Sequence, residues 1–193
     1  MKTDNKVKTM TIAGMLCAIG IIIPMFAPKI VIEPASFTLA SHVPVFIAMF
    51  ISPSVAISVS LLTSLGFFIS GFPLVVVLRA LTHLLFASIG AFMLKKNNNI
   101  LLSPKSAGIY SFIIAVIHAA AEVAVVTFYY WGGTMVAYEE KGYLVSVLGQ
   151  VGLGTIIHSM IDFAIAVVVW KPLQQIITIP ANARIRRSSN SRI

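Results

Sequence analysis

Between His42 and Arg79 the chain runs 36 residues without a single ionisable side chain. As one continuous helix that stretch would reach about 54 Å, against about 30 Å for the hydrocarbon core of a bilayer. It must therefore hold two helices, and Ser52-Pro53-Ser54 and Gly71-Phe72-Pro73 are the natural breaks. The rest of the chain has the same character. Of 193 residues 58% are hydrophobic and only 10% charged, where a soluble domain carries about a quarter charged. That composition excludes a soluble fold, which would lack a polar surface, and equally a disordered chain. Cys17 is the one cysteine, so neither a disulfide framework nor a four-thiolate metal site is available.

Dividing the sequence at its Pro, Gly and charged positions predicts an all-α polytopic membrane protein. Six transmembrane helices are expected, roughly over 9–26, 37–52, 53–70, 73–95, 106–131 and 147–172, in one membrane domain spanning 1–193. Residues 173–193 read as a basic, solvated cytoplasmic tail. The second helix is short for a span, which implies tilt, local thinning or burial in the bundle. Pro28, Lys29, Glu33 and Pro34 mark an outer loop, and Glu139, Glu140 and Lys141 mark another. The start, lysine-rich and then apolar, has the outline of a signal peptide, but bulky residues follow Pro24 in place of a small-x-small exit; it is read as a retained first helix.

Net charge is +8, yet its distribution points to orientation and not to nucleic acid. Eleven of the fourteen basic residues fall in three clusters: Lys2, Lys6 and Lys8; Lys95, Lys96 and Lys105; and Lys171, Arg184, Arg186, Arg187 and Arg192. Six spans place all three on one side, and the positive-inside rule makes that side cytoplasmic, with both termini and with membrane lipid headgroups beside the tail. Trp131 and Trp170 are expected at the interfaces near span ends. The phosphate-binding pattern G-x-x-x-x-G-K-[ST] is missing, so any ATPase driving uphill transport is another chain.

Ionisable groups inside spans are costly and usually functional. Here they form three i,i+4 pairs, Arg79/His83, His118/Glu122 and His158/Asp162, each on one helix face. Counting rise per residue from the outer ends puts Arg79 about 9 Å deep, His83 about 15 Å, Glu122 about 14 Å and His118 about 20 Å, with His158 and Asp162 in the same band. These six residues are the expected substrate-binding site, a pocket opening outward. Arg79 matches a carboxylate in bidentate fashion; it also suits an internal pair with Glu122 or Asp162, and the two roles are compatible. For the histidines, hydrogen-bonded network members, direct ligand contacts and metal ligands all remain open, with the acids fixing their tautomers. Phe128-Tyr129-Tyr130-Trp131 fits an interfacial belt or a stacking surface. Ser60, Thr63 and Ser64 fit helix-backbone bonding, and Glu33, Ser36, Thr38 and His42 a polar lid or a solvated loop.

Helix 1 carries Gly14 and Ala18 one turn apart, with Ala13 and Cys17 beside them, a spacing that admits close approach of another helix. The six short spans, this small-residue helix, the long loop after it and the missing ATPase resemble the substrate-binding S components of energy-coupling factor (ECF) vitamin transporters, over essentially the whole chain. The stretches Glu33-Pro34-Ala35-Ser36-Phe37-Thr38-Leu39-Ala40-Ser41-His42-Val43-Pro44, Leu78-Arg79-Ala80-Leu81-Thr82-His83 and Gly154-Thr155-Ile156-Ile157-His158-Ser159-Met160-Ile161-Asp162-Phe163 are most similar to the niacin-specific group.

The resemblance implies a bundle that captures a vitamin from outside, probes no ATP chemistry of its own, and docks through an A-x-x-x-A motif on helix 1 to a coupling membrane protein driven by two ATPase subunits. Gly14 and Ala18 occupy the motif's small positions, with Gly14 departing from alanine. The expected ligand is nicotinate, with pantothenate and folate, also carboxylates, as alternatives; no cofactor and no metal are expected. The rival from another class is an intramembrane metal enzyme using His83, His118-x-x-x-Glu122 and His158-x-x-x-Asp162. Against it, the paired glutamates of prenyl-protein-type membrane proteases occur only as Glu139-Glu140, in a loop and followed by Lys141, and Arg79 would repel a cation.

Overall fold

The computed structural model describes residues 2–32 and 35–185; Glu33, Pro34, Arg186, Arg187 and Arg192 lie outside the described residues. Helix α1 spans Lys2–Phe26 and leads into a β-hairpin, β1 Lys29–Ile32 paired antiparallel with β2 Ala35–Thr38. Then follow α2 Val43–Ile51, α3 Pro53–Ile69, α4 Leu74–Lys96, a 3-10 turn at Ile100–Leu102, α5 Pro104–Trp131 and a short α6 Val136–Lys141. A π-helical segment, Leu144–Leu153, runs directly into α7, Gly154–Ile176. Four of these segments are long and apolar enough to cross a membrane: Asp4–Phe26, Leu74–Lys96, Pro104–Trp131 and the continuous Leu144–Ile176. The chain is a multi-pass helical membrane protein.

The first helix begins seven residues before the expected 9, the stretch expected as an outer loop holds the short α6, and the second helix differs most. Residues 37–52 were expected to be helical, but Ala35–Thr38 forms the second hairpin strand and α2 occupies only Val43–Ile51. Nine residues rise about 13 Å, far too little to cross a bilayer alone. All nine are buried, so this element is a core helix wrapped by the others.

In lipid a short helix is limited by its backbone, because every orphan N–H and C=O must find a protein partner. Both ends of α2 find theirs on α7 or the chain that follows it. At the start, the Asp162 carboxylate of α7 accepts the backbone N–H of Ala40 at 2.8 Å and of His42, the N-cap, at 2.9 Å. At the end, the carbonyl of Phe50 accepts from Asn182 and Ala183 at 3.0 and 2.9 Å. The tail therefore is not simply solvated. Ile179 and Ala183 are buried, and Gln174 exchanges two hydrogen bonds with the backbone of Ile185. Trp170, expected at an interface, is fully buried and donates its Nε1–H to the carbonyl of Ala183 at 3.3 Å.

Glycines set how closely the helices approach. A Cβ at Gly90 of α4 would meet Met49 of α2 and lie 2.6 Å from the Tyr110 hydroxyl of α5, and one at Gly66 of α3 would run into Ile21 of α1. The beginning of α1 lies beside the tail, where Lys8 Nζ reaches Thr178 Oγ1 at 3.3 Å. The opposite end of the bundle, formed by the end of α1, the hairpin and the α3–α4 connection, holds the cavity described next.

Candidate functional site

A cavity of about 390 Å³ opens at that end, in the lower part of the range usual for small-molecule sites. Its floor comes from α2, α4, α5 and α7, through His42, Arg79, His83, Glu122, Thr155 and His158. The hairpin covers it with Lys29, Ser36, Phe37 and Thr38, and Phe67 and Phe72 stack on one another at 4.7 Å as an aromatic wall.

The three helix pairs do converge. Arg79 donates through Nη2 to Glu122 Oε2 at 2.9 Å, and the same oxygen accepts Thr155 Oγ1–H at 2.7 Å. Glu122 Oε1 lies 3.5 Å from His118 Nε2. The guanidinium is only partly used, since its buried Nε has no hydrogen-bond partner. An anion entering the cavity thus meets Arg79 with donor capacity in reserve and, at the mouth, the exposed Lys29. Of the six residues expected from the sequence, Arg79, His83, Glu122 and His158 line the cavity. His118 and Asp162 are fully buried behind it.

Asp162 serves the site at one remove. Besides the two backbone N–H groups it holds His42 Nδ1 at 3.0 Å and lies 3.3 Å from His158 Nε2, while Ser41 Oγ bridges to His158 Nε2 at 3.1 Å. This clamp fixes a turn in which Ala40 takes φ = 65°, a left-handed conformation that costs a non-glycine residue about 1 kcal/mol or more. Such strain persists where the surroundings over-determine it, and here one carboxylate receives the N–H groups on both sides of Ser41.

The sequence reading placed His42 in a lid or solvated loop; the structure buries it at the centre. Its ring stands edge-on to His83, His118 and His158 at centroid distances of 4.8, 4.7 and 4.9 Å. All four histidines of the chain therefore meet, a signal present in the composition but not in the i,i+4 spacing, because His42 belongs to no such pair. Ser41 and Thr155 were missed for the same reason. The aromatic run Phe128–Trp131 stays outside: Phe128 and Trp131 are about three-quarters exposed, and Phe37, Phe67 and Phe72 supply the ring surfaces instead.

Helices carrying a buried, partly cationic cavity under a hairpin define a membrane protein that binds a small polar ligand, the class to which substrate-capturing transport components belong. The chain is 46% identical over 162 residues, 83% of its own length and 72% of the relative's, to the niacin transporter NiaX of Lactococcus lactis subsp. cremoris (strain MG1363). It belongs to that transporter family, the niacin group of ECF S components. No family model and no solved structure matches it.

Proposed function

We propose that this chain captures nicotinate from the outer face of the cell membrane and delivers it for uptake as the S component of an ECF transporter. One observation carries the binding mode: Arg79 lines a half-open cavity with its guanidinium only partly satisfied by Glu122. A carboxylate joining it would gain charge-assisted hydrogen bonds in a low-dielectric site. The stacked Phe67 and Phe72 and the Phe37 ring offer faces for a planar heterocycle. A cavity of about 390 Å³ has ample room for this small acid. Glu122, with Arg79 already paired, adds a negative charge that disfavours larger polyanions.

The capture step needs no ATP. Gly14 and Ala18 lie exposed on α1, and among the described residues no other part of the fold comes within 4 Å of a Cβ built at Gly14, which supports that face as the docking surface for a coupling membrane protein energised by two ATPase subunits. The beginning of α1 lies beside the tail after α7. With Lys95, Lys96 and Lys105 on the α4–α5 connection, this arrangement favours two cytoplasmic termini and an outward cavity.

The test is equilibrium binding to the purified chain in detergent. Nicotinate should bind saturably without ATP, nicotinamide at least about tenfold more weakly because it lacks the charge, and Arg79→Ala should bind neither. Equal affinity for acid and amide would overturn the carboxylate contact.

A further inference from the structure

We infer that His42, His83 and His118 form a binding site for one divalent transition cation, of the zinc or cobalt(II) kind, with an open coordination position facing the cavity. One ring nitrogen from each lies within 4.8 Å of the other two. Tetrahedral metal–nitrogen bonds of about 2.0 Å require separations of about 3.3 Å, so small ring movements close the site.

The hydrogen bonding around two of the three rings, His42 and His118, is that of metal ligands. A ligating histidine commonly gives its second ring N–H to a carboxylate or other acceptor, which fixes the tautomer and leaves the first nitrogen as an electron-pair donor. His42 has such a partner in Asp162, 3.0 Å from Nδ1. His118 has Ser159 Oγ at 3.4 Å from its Nδ1, while its Nε2, fully buried, has no hydrogen-bond partner. His83 has no hydrogen bond among the described residues; it packs edge-on against the other two rings at 4.8 and 5.0 Å and beside Phe86 at 5.5 Å. A buried imidazole nitrogen left as His118 Nε2 is left is costly, and a cation held with His42 and His83, which border the cavity, satisfies it.

Charge points the same way. Arg79 is matched by Glu122, so the cation does not face an uncompensated guanidinium, and Glu122 Oε1 lies 3.5 Å from the His118 nitrogen. Asp162, fully buried, meets only backbone N–H groups, Ser41 and histidine rings among the described residues. It is a buried carboxylate lacking a permanent cation. The second grouping, His42 with His158 and Asp162, is less suited, because both Asp162 oxygens already accept N–H groups.

The open position lies where His42 and His83 border the cavity. If the ligand is nicotinate, its ring nitrogen completes the coordination while Arg79 takes the carboxylate; this last contact rests on the functional reading above, whereas the three-histidine site does not.

The experiment is a cobalt(II) titration of the purified, chelator-stripped full chain, followed by visible absorption and metal content. One equivalent should bind with the intense bands of a four-coordinate site. His83→Gln, which breaks no hydrogen bond, should lose that binding, and Asp162→Asn should weaken it about 10–100-fold. Nicotinate should then shift the bands and benzoate, without a ring nitrogen, should not. A folded chain that binds nicotinate in chelator and takes up no cobalt overturns the metal site and leaves the niacin reading standing. Cobalt bound with no nicotinate affinity does the reverse. Bands unmoved by bound nicotinate overturn the ring-nitrogen contact.

Discussion

Arg79 neutralises the buried Glu122, and in the proposed binding mode it also receives the ligand carboxylate. Removing it alone therefore has two effects. Arg79→Ala should lose nicotinate binding and also lower stability by about 3 kcal/mol, because a buried carboxylate is left without its partner. Arg79→Met combined with Glu122→Gln should recover most of that stability, read as the thermal midpoint, and still fail to bind; restored binding would show that the cavity does not recognise the carboxylate through Arg79. Arg79→Lys keeps the charge but not the planar fork, and should weaken binding about tenfold by calorimetry. That Arg79/His83, His118/Glu122 and His158/Asp162 would face one another was readable from the sequence, because charge in an apolar helix is conspicuous. His42 was not, because it follows a loop-like stretch and only the fold carries that stretch into the core.

Among the elements, the hairpin and α2 depend on α7 more than on their own sequences. A Cβ on Gly154 would lie 2.6 Å from Phe37 Cζ, so the hairpin ring closes over the cavity only because that position is bare. Gly154→Ala should push Phe37 aside and weaken nicotinate binding about tenfold, with far less effect on the thermal midpoint; unchanged affinity would show that Phe37 is not part of the binding wall. Deleting the chain after Ile176 removes the N–H groups that cap Phe50 and Ile51. Each lost partner for a buried backbone carbonyl costs about 1–3 kcal/mol, so this truncation should lower the detergent-state melting temperature clearly. The helices α3, α4 and α5 were legible within a few residues because Pro, Gly and Lys punctuate them, whereas α1 begins at Lys2 and not at 9. The start of α2 was not, because Phe37, Thr38 and Leu39 suit a helix or a strand equally, and pairing of Lys29–Ile32 with Ala35–Thr38 decides in favour of the strand.

For the whole molecule, the cavity and the small-residue face of α1 are separate surfaces. The cavity occupies the end of the bundle away from the beginning of α1, and Gly14 and Ala18 face outward along α1. Gly14→Leu should leave nicotinate affinity in detergent unchanged and impair uptake by cells that hold the energising subunits; normal uptake would exclude this face as the docking surface.

The amino-acid sequence by itself determined that the chain lives in a membrane, where its helices begin and end in most places, and which polar groups it must hide there. These follow from local quantities: apolar length against bilayer thickness, charge placement and the residues that break helices. Only the tertiary structure decided that four histidines share one centre, that Asp162 is a clamp and not a wall of the cavity, and that a nine-residue helix can be buried whole. The reason is that in lipid every backbone and side-chain polar group needs a partner inside the protein, and the partners of α2 lie some 120 to 130 residues away along the chain, where no local pattern records them.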